Sequence, residues 1–147
     1  MDLYGAIDIG TNSIKGVLLA RDAAGGWRVV DDRVEIAKLG QGVRETGRLR
    51  ADAMDRAAAA VGRLAAVLRG VGAGRLVAVG TMALRTAANA AEFRERLRKE
   101  IGIEVEVISG EEEARLSFLG AAGGRPGAGG PVAVTDIGGG STELILG

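Results

Sequence analysis

The residues best suited to binding a phosphate lie near the C-terminus, in the sequence DIGGGSTE over residues 136–143. Apolar residues flank this stretch on both sides, which predicts a strand, a tight turn and a second strand. Gly138, Gly139 and Gly140 have no Cβ, so their backbone N–H groups can face an anion directly. An ordinary glycine-rich hairpin explains the same pattern about equally well, because short glycine motifs recur by chance.

Oxygen ligands surround the three glycines. Asp136 and Glu143 supply carboxylates, and Ser141 and Thr142 supply hydroxyl groups. This combination suits a phosphate chain that is carried with a hard divalent cation.

A second copy of this pattern lies at the N-terminus, in AIDIGTNSIKGVLL over residues 6–19. When Asp8 is set on Asp136 the two stretches align without a gap, and Asp, Ile, Gly and Ser recur at the same offsets. An internal repeat indicates a duplicated unit. We therefore expect two lobes whose phosphate-type hairpins face each other across a cleft.

Composition narrows the chemistry that these residues can perform. The 147 residues are 47% hydrophobic, which predicts a globular chain with a real core. Lys and Arg number 19, as do Asp and Glu, so no basic patch indicates nucleic-acid or membrane-surface binding. The absence of Cys and His leaves carboxylate, lysine, tyrosine or water as general base and oxygen as metal ligand, which favours Mg²⁺ over Zn²⁺. No signal peptide or membrane-spanning run is evident, so a cytoplasmic protein is expected.

Between the two hairpins the sequence alternates between strand and helix patterns. Three strands are predicted at residues 3–9, 13–20 and 27–39, followed by an exposed loop over 40–47. Helix 51–69, strand 75–80, helix 89–101, strand 103–108 and a helix from 109 to about 121 follow. The fold class is therefore α/β, a mixed sheet in the order β-β-β-α-β-α-β-α. The predicted units are a first lobe at 1–122, a Gly-rich linker at 123–130 and the opening hairpin of a truncated second lobe at 131–147.

Two helix starts and one arginine complete the set of candidate residues. Asn89 with Glu92 and Ser109 with Glu112 each predict a capping box. Arg85 follows a strand at the sheet edge where ligands bind, although a surface arginine on a short helix is the simpler interpretation from position alone. Glu111, Glu112 and Glu113 share one first turn, where they stabilise the helix dipole or supply a base for water, two interpretations of about equal weight.

These motifs together resemble the exopolyphosphatase and guanosine pentaphosphate phosphatase family, within the ribonuclease H-like superfamily of actin-like ATPases, sugar kinases and chaperone ATPases. The resemblance is carried by AIDIGTNS at 6–13, GTMALR at 80–85, ISGEEEARL at 108–116 and DIGGGSTEL at 136–144. The SGEEEARL segment distinguishes the chain from the sugar kinases. The resemblance implies Mg²⁺-dependent hydrolysis of a terminal phosphoanhydride, with polyphosphate or guanosine pentaphosphate as the partner molecule.

The resemblance also implies a role for each motif residue. Glu113 corresponds to the residue that activates the attacking water, and Arg85 to a catalytic phosphate contact. Asp8, Asp136 and Glu143 correspond to acids around the metal. The phosphate-binding positions are Gly10, Thr11, Asn12, Ser13, Gly138, Gly139, Gly140, Ser141 and Thr142.

Other functions are compatible with the same hairpins. An ATP-dependent kinase or chaperone-type ATPase would use them for nucleotide phosphates, and a non-catalytic module would use them to sense polyphosphate or an alarmone. The sequence does not choose between the two substrates, and a homodimer is a further partner arrangement to consider. Family members continue well beyond residue 147, so we expect little or no phosphatase activity from this chain alone.

Overall fold

The computed structural model describes residues 2–23, 25–122 and 131–147. The predicted linker at 123–130 lies outside these ranges. The N-terminal part is a five-stranded mixed sheet in the order β3-β2-β1-β4-β5. Its strands are β1 (Asp2–Ile9), β2 (Ser13–Arg21), β3 (Trp27–Ile36), β4 (Arg75–Gly80) and β5 (Val105–Val107).

The first three strands form an antiparallel meander, and the next two add in parallel through helical crossovers. The helices are α1 (Val43–Thr46), α2 (Ala51–Gly70), α3 (Met82–Thr86), α4 (Ala90–Ile101) and α5 (Gly110–Ala122). A separate hairpin pairs β6 (Ala133–Ile137) with β7 (Thr142–Leu146). The predicted α/β class, mixed sheet and closing hairpin are confirmed.

The core lies between one face of the sheet and helices α2 and α4. Ile7, Ile9 and Ile14 are fully buried on the sheet side. Helix α2 has the apolar stripe that its 3.6-residue period predicts, with Val61 and Leu64 buried against that face. Helix α4 adds Phe93 and Leu97, both fully buried. This packing fixes the end of the sheet at which the first phosphate turn lies.

Three local predictions need correction. The loop at 40–47 contains the short helix α1, because Val43 is apolar enough to bury against the core. Strand β3 ends at Ile36 rather than Leu39, since Ala37 and Lys38 instead donate their N–H groups to the carbonyl of Asn12. Strand β5 is shorter than the predicted 103–108, although Val105 is buried and Glu106 exposed as the alternation predicts.

The capping box predicted at Asn89 does not form. Helix α4 does begin after Asn89, but the side chain of Asn89 makes no cap hydrogen bond. It instead accepts from the Leu49 N–H at 2.8 Å and donates to the Leu49 carbonyl at 3.0 Å. Leu49 and Asn89 are both buried, so the N–H and the carbonyl of Leu49 each need a hydrogen-bond partner. The side-chain amide of Asn89 provides both, because it can donate and accept.

The capping box predicted at Ser109 is confirmed on its serine side. The Ser109 hydroxyl oxygen accepts from the N–H of Glu112 at 3.1 Å, and helix α5 begins at Gly110.

Within the described ranges, no helix combines the length and apolar character needed to cross a membrane.

Candidate active site

The two glycine turns have the same backbone structure. Gly10 donates its N–H to the Ser13 carbonyl at 3.0 Å, and Gly138 donates to the Ser141 carbonyl at 2.9 Å. The strand registers also agree, since Asp8 lies opposite Lys15 on one hairpin and Asp136 lies opposite Glu143 at the matching positions of the other. The repeat inferred from four identities is therefore a repeat of geometry.

The turns face each other in close contact. A Cβ placed on Gly139 would lie 2.7 Å from the Cβ of Asn12 and 3.3 Å from its backbone nitrogen. Only a residue without a Cβ allows this approach. The two hairpins thus meet across a shared cleft, as their repetition predicts.

The residues lining this cleft come from both hairpins, from α5 and from the end of β4. Among the predicted site residues it collects Asp8, Gly10, Thr11, Asn12, Ser13, Glu113, Asp136, Gly138, Gly139, Gly140 and Ser141, in a cavity of about 60 Å³. Lys15 and Thr81 also line it. Thr142 and Glu143 lie just beyond the second turn and do not line the cavity.

Both turns contain backbone N–H groups that are left without a hydrogen bond, on residues that line the cleft. The N–H groups of Thr11, Asn12, Gly139 and Gly140 make no hydrogen bond to any described residue. The carbonyls of the first turn accept hydrogen bonds from the segment after β3. Thr11 accepts from the Gly40 N–H at 2.8 Å, and Asn12 accepts from the Lys38 N–H at 2.8 Å. Free N–H groups on adjacent residues form a concave site for an anion such as a phosphate group.

Helix α5 presents its three first-turn acids to different surroundings. Glu113 lines the cleft, while Glu111 is exposed. Glu112 accepts a bidentate interaction from Arg115, and this hydrogen bonding lowers the pKa of the Glu112 carboxyl. Of the three, Glu113 alone is positioned to act on a bound substrate.

Arg85 holds Glu113 in place. Its Nη1 donates to Glu113 Oε2 at 2.8 Å and to the Ile108 carbonyl at 2.9 Å. The Arg85 and Glu113 side chains are only 24% and 16% exposed, so the pair is largely shielded from water. Arg85 lies on the short helix α3 and does not itself line the cleft cavity. It reaches the site only through its ion pair with Glu113.

Asp8 is the acid whose surroundings are most unusual. Its Oδ1 is buried and has no hydrogen-bond partner among the described residues. Burial raises the pKa of the Asp8 carboxyl; Lys15 opposes this rise, and the carboxylates of Glu113 and Asp136 add to it. An unpartnered carboxylate oxygen facing two other carboxylates is a favourable place for a cation.

Two carboxylates of the cleft are the candidate ligands for the predicted Mg²⁺. Asp8 and Asp136 would hold the ion from the two hairpins. Across the described ranges, no three acidic side chains lie close enough to form a complete metal cage. Mg²⁺ usually takes one or two carboxylates and completes its shell with water and substrate phosphates, so the Mg²⁺ site stays a prediction that rests on Asp8 and Asp136.

Sequence reasoning did not assign Lys15 to the site. The signal was available in the hairpin register, because a turn closed between Ile9 and Ile14 places Lys15 directly opposite Asp8. Ser117 was also missed; its hydroxyl donates to Asp136 Oδ2 at 2.5 Å. Ser117 follows Glu113 by one helical turn, so both point from α5 toward the cleft.

Known proteins share both the sequence pattern and the fold of this chain. Residues 18–147 match the Ppx/GppA phosphatase family. A crystal structure of the Aquifex aeolicus Ppx/GppA phosphatase is similar at 35% identity and a TM-score of 0.87, covering all of this chain and 48% of that one. An exopolyphosphatase from Cytophaga hutchinsonii is similar at 32% identity and a TM-score of 0.92, covering 99% of this chain and 46% of that one.

A more distant similarity concerns the fold alone. The ethanolamine utilization protein EutJ from Carboxydothermus hydrogenoformans superposes with a TM-score of 0.56 at 18% identity, covering 98% of this chain and 47% of that one. The architecture is that of an actin-like ATPase lobe. This chain spans about half the length of the solved structures it matches. On the family match and on identities above 30% over nearly its whole length, the chain belongs to the Ppx/GppA phosphatase family.

Proposed function

We propose that this chain provides the phosphate-binding and catalytic residues of a hydrolase that releases the terminal phosphate of polyphosphate or guanosine pentaphosphate. The observation that carries the proposal is the convergence of Glu113 with both glycine turns in one cleft. A phosphoryl-transfer site requires fixed donors, positive charge and an oriented nucleophile, and the cleft residues supply all three.

Glu113 is the proposed general base. Its carboxylate takes a proton from a water molecule as that water attacks the terminal phosphorus, and the bridging oxygen leaves with the shortened chain. Arg85 keeps the carboxylate oriented through the 2.8 Å ion pair, so little reorganisation is needed during the reaction.

The two turns bind the terminal phosphate. Free N–H groups of Asn12 and Gly139 donate to its oxygens from opposite sides, where negative charge accumulates as the bond breaks. Lys15 adds a positive charge at the cleft wall. Asp8 and Asp136 would hold a Mg²⁺ ion, which would supply positive charge to offset the charge of the phosphate. Glu143 stays a predicted outer acid of this metal site.

The test replaces Glu113 by Gln in the chain extended by a second lobe, in a phosphate-release assay with both substrates. We expect kcat to fall by about 10²-fold or more, since general base catalysis contributes on that scale, with KM changing little. Glu111→Gln is the matched control, because Glu111 lies in the same helical turn but is exposed and outside the cleft. A wild-type rate in Glu113→Gln would remove Glu113 from this role.

A further inference from the structure

One carbonyl group, at the same place in each glycine turn, is held by a donor from outside its own hairpin. In the alignment of the two turns, Asn12 corresponds to Gly140. The Asn12 carbonyl accepts from two backbone N–H groups, those of Ala37 at 3.1 Å and Lys38 at 2.8 Å. The Gly140 carbonyl accepts instead from a side chain, Nη2 of Arg44, at 3.3 Å. The repeated turns therefore share the held carbonyl but differ in the group that holds it.

The short helix α1 places Arg44 beside the second turn. Gly42, just before this helix, has a φ of +81°, a left-handed conformation that a residue without a Cβ adopts easily. The next residue, Val43, is buried in the core, which fixes the position of the helix. Arg44 follows directly and is exposed. Arg44 and Gly140 both line a cavity of about 340 Å³ between α1, α3 and the second turn, so α1 reaches that turn through this side chain.

The peptide group after Gly140 carries this contact to the phosphate cleft. A trans peptide is planar, so its carbonyl oxygen and the N–H of the next residue point in opposite directions. A donor that holds the Gly140 carbonyl on the Arg44 side therefore directs the Ser141 N–H away from Arg44. Ser141 lines the phosphate cleft and not the larger cavity, and its N–H makes no hydrogen bond to any described residue. This N–H is thus left for a ligand in the cleft.

Little else determines the orientation of this peptide group. Gly139 and Gly140 have no side chains, so local sterics restrict their backbone torsions only weakly. Within the described ranges, no other hydrogen bond joins residues 138–141 to residues 2–122. The remaining contacts are close packing, in which a Cβ on Gly140 would lie 3.1 Å from the Thr11 hydroxyl oxygen. Packing limits how closely the turns approach, but it does not select the direction in which a carbonyl points.

Resting on the function proposed above, we propose that Arg44 is a positioning residue for the second turn. It holds the Gly140 carbonyl so that the Ser141 N–H donates to a phosphate oxygen on which negative charge grows as the bond breaks. Arg44 lines the larger cavity and not the cleft, so it acts through the peptide group and not on the phosphate itself. Its effect is therefore on the rate of the chemical step rather than on the attraction of the substrate.

The test compares Arg44→Met with Arg48→Met in the chain extended by a second lobe, in a phosphate-release assay with linear tripolyphosphate and Mg²⁺. Both variants lose one positive charge from the same segment, but Arg48 is exposed and lines neither cavity. We expect Arg44→Met to lower kcat by about tenfold, less than the loss on deleting an oxyanion donor outright, with KM changed by less than about twofold. Arg44→Lys keeps a donor for the carbonyl and should restore most of kcat, and Arg48→Met should match the wild type.

The outcomes separate this inference from the proposed function. A wild-type kcat in Arg44→Met, or a fall that Arg44→Lys does not restore, overturns the positioning role while hydrolysis by the wild type stands. A rise in KM that Arg48→Met shares and that added salt reduces would show a general effect of charge, and it would overturn the role as well. Absence of phosphate release from the wild type would overturn the proposed function and this inference with it.

Discussion

Gly139 shows how one missing methyl group determines the geometry of the site. The approach of its Cα to Asn12 leaves no room for a Cβ, which would lie at 2.7 Å where ordinary contacts are about 3.5–4.0 Å. Any larger residue must push the two turns apart by about 1 Å. Since both turns bind the same phosphate in our proposal, separation would weaken the site more than the fold.

We therefore expect Gly139→Ala to reduce kcat/KM for phosphate release by about 10²-fold, the scale on which a 1 Å displacement acts. Thermal unfolding should change much less. Gly120→Ala is the control, because Gly120 lies in α5 with open space around the added Cβ and should gain a little helix stability. Unchanged turnover in Gly139→Ala would show that the turns do not act together.

Residue types and local spacing were enough to predict most of the cleft lining, but not its internal contacts. The turns could be predicted because glycine and its flanking apolar residues act locally. The Arg85–Glu113 pair joins residues 28 positions apart, and it depends on how α3 and α5 follow neighbouring strands. The Asn89–Leu49 contact joins residues 40 positions apart and replaced a capping interaction that local sequence favoured.

At the scale of elements, α5 connects the candidate base to the candidate metal site. Glu113 reaches the cleft from its first turn, and Ser117 bonds Asp136 from the next. A hydroxyl donating to one carboxylate oxygen restricts the rotation of that carboxylate and leaves its other oxygen available. Such outer partners commonly determine how well a carboxylate binds a metal ion.

We expect Ser117→Ala to weaken Mg²⁺ binding by about tenfold, the lower end of such effects, measured by calorimetric titration without substrate. Ser117→Thr keeps the hydroxyl and should restore most of the affinity. An unchanged Mg²⁺ affinity in Ser117→Ala would mean that the Ser117–Asp136 bond has no part in metal binding.

The outer faces of α2 and α4 carry acids that link the stability of the fold to pH. Hydrogen bonds from Arg56 and Arg50 lower the pKa of Asp52, in the first turn of α2, to about 2. Hydrogen bonds from Arg98 and Lys99 lower the pKa of Glu95, on α4, to about 2. A lowered pKa in the folded state means that these pairs stabilise the fold above the unfolded values, near 4, and lose that effect as the pH falls toward 2.

The melting temperature should accordingly fall between about pH 4.5 and pH 2. The double variant Asp52→Asn and Glu95→Gln should show a shallower fall across this window and a slightly lower melting temperature at pH 7. The Asp52 and Glu95 side chains are 51% and 44% exposed, so added salt should reduce the difference between the two proteins. Parallel pH profiles for variant and wild type would contradict this assignment.

At the scale of the whole molecule, apolar side chains are exposed on both the second hairpin and the main sheet. Ile137, Leu144 and Leu146 are 69–77% exposed on one face of the β6–β7 hairpin, while α5 packs against this hairpin. On the main sheet Val29 and Val34 are each 59% exposed. Isolated hairpins are marginal in water, so the second turn depends on contacts with α5 and the first lobe.

The chain spans about half the length of the solved structures it matches, and its second hairpin brings only two strands to the cleft. We therefore expect the 147-residue chain by itself to hydrolyse polyphosphate far more slowly than a complete family member, measured as phosphate release at saturating substrate. Turnover close to that of a complete member would contradict this prediction and show that the first lobe and one hairpin suffice.

The two hairpins match in backbone geometry but differ in charge. Their backbones are equivalent in register and turn, yet Asp8 faces a lysine where Asp136 faces a glutamate. In the cleft lining, Lys15 balances the charge of Asp8 on the first hairpin, whereas the described residues of the second hairpin contribute the Asp136 carboxylate and no basic side chain. Under the proposed function, a phosphate chain lying across the cleft would meet an uncompensated carboxylate only at the second hairpin, so we expect the two hairpins to bind it unequally.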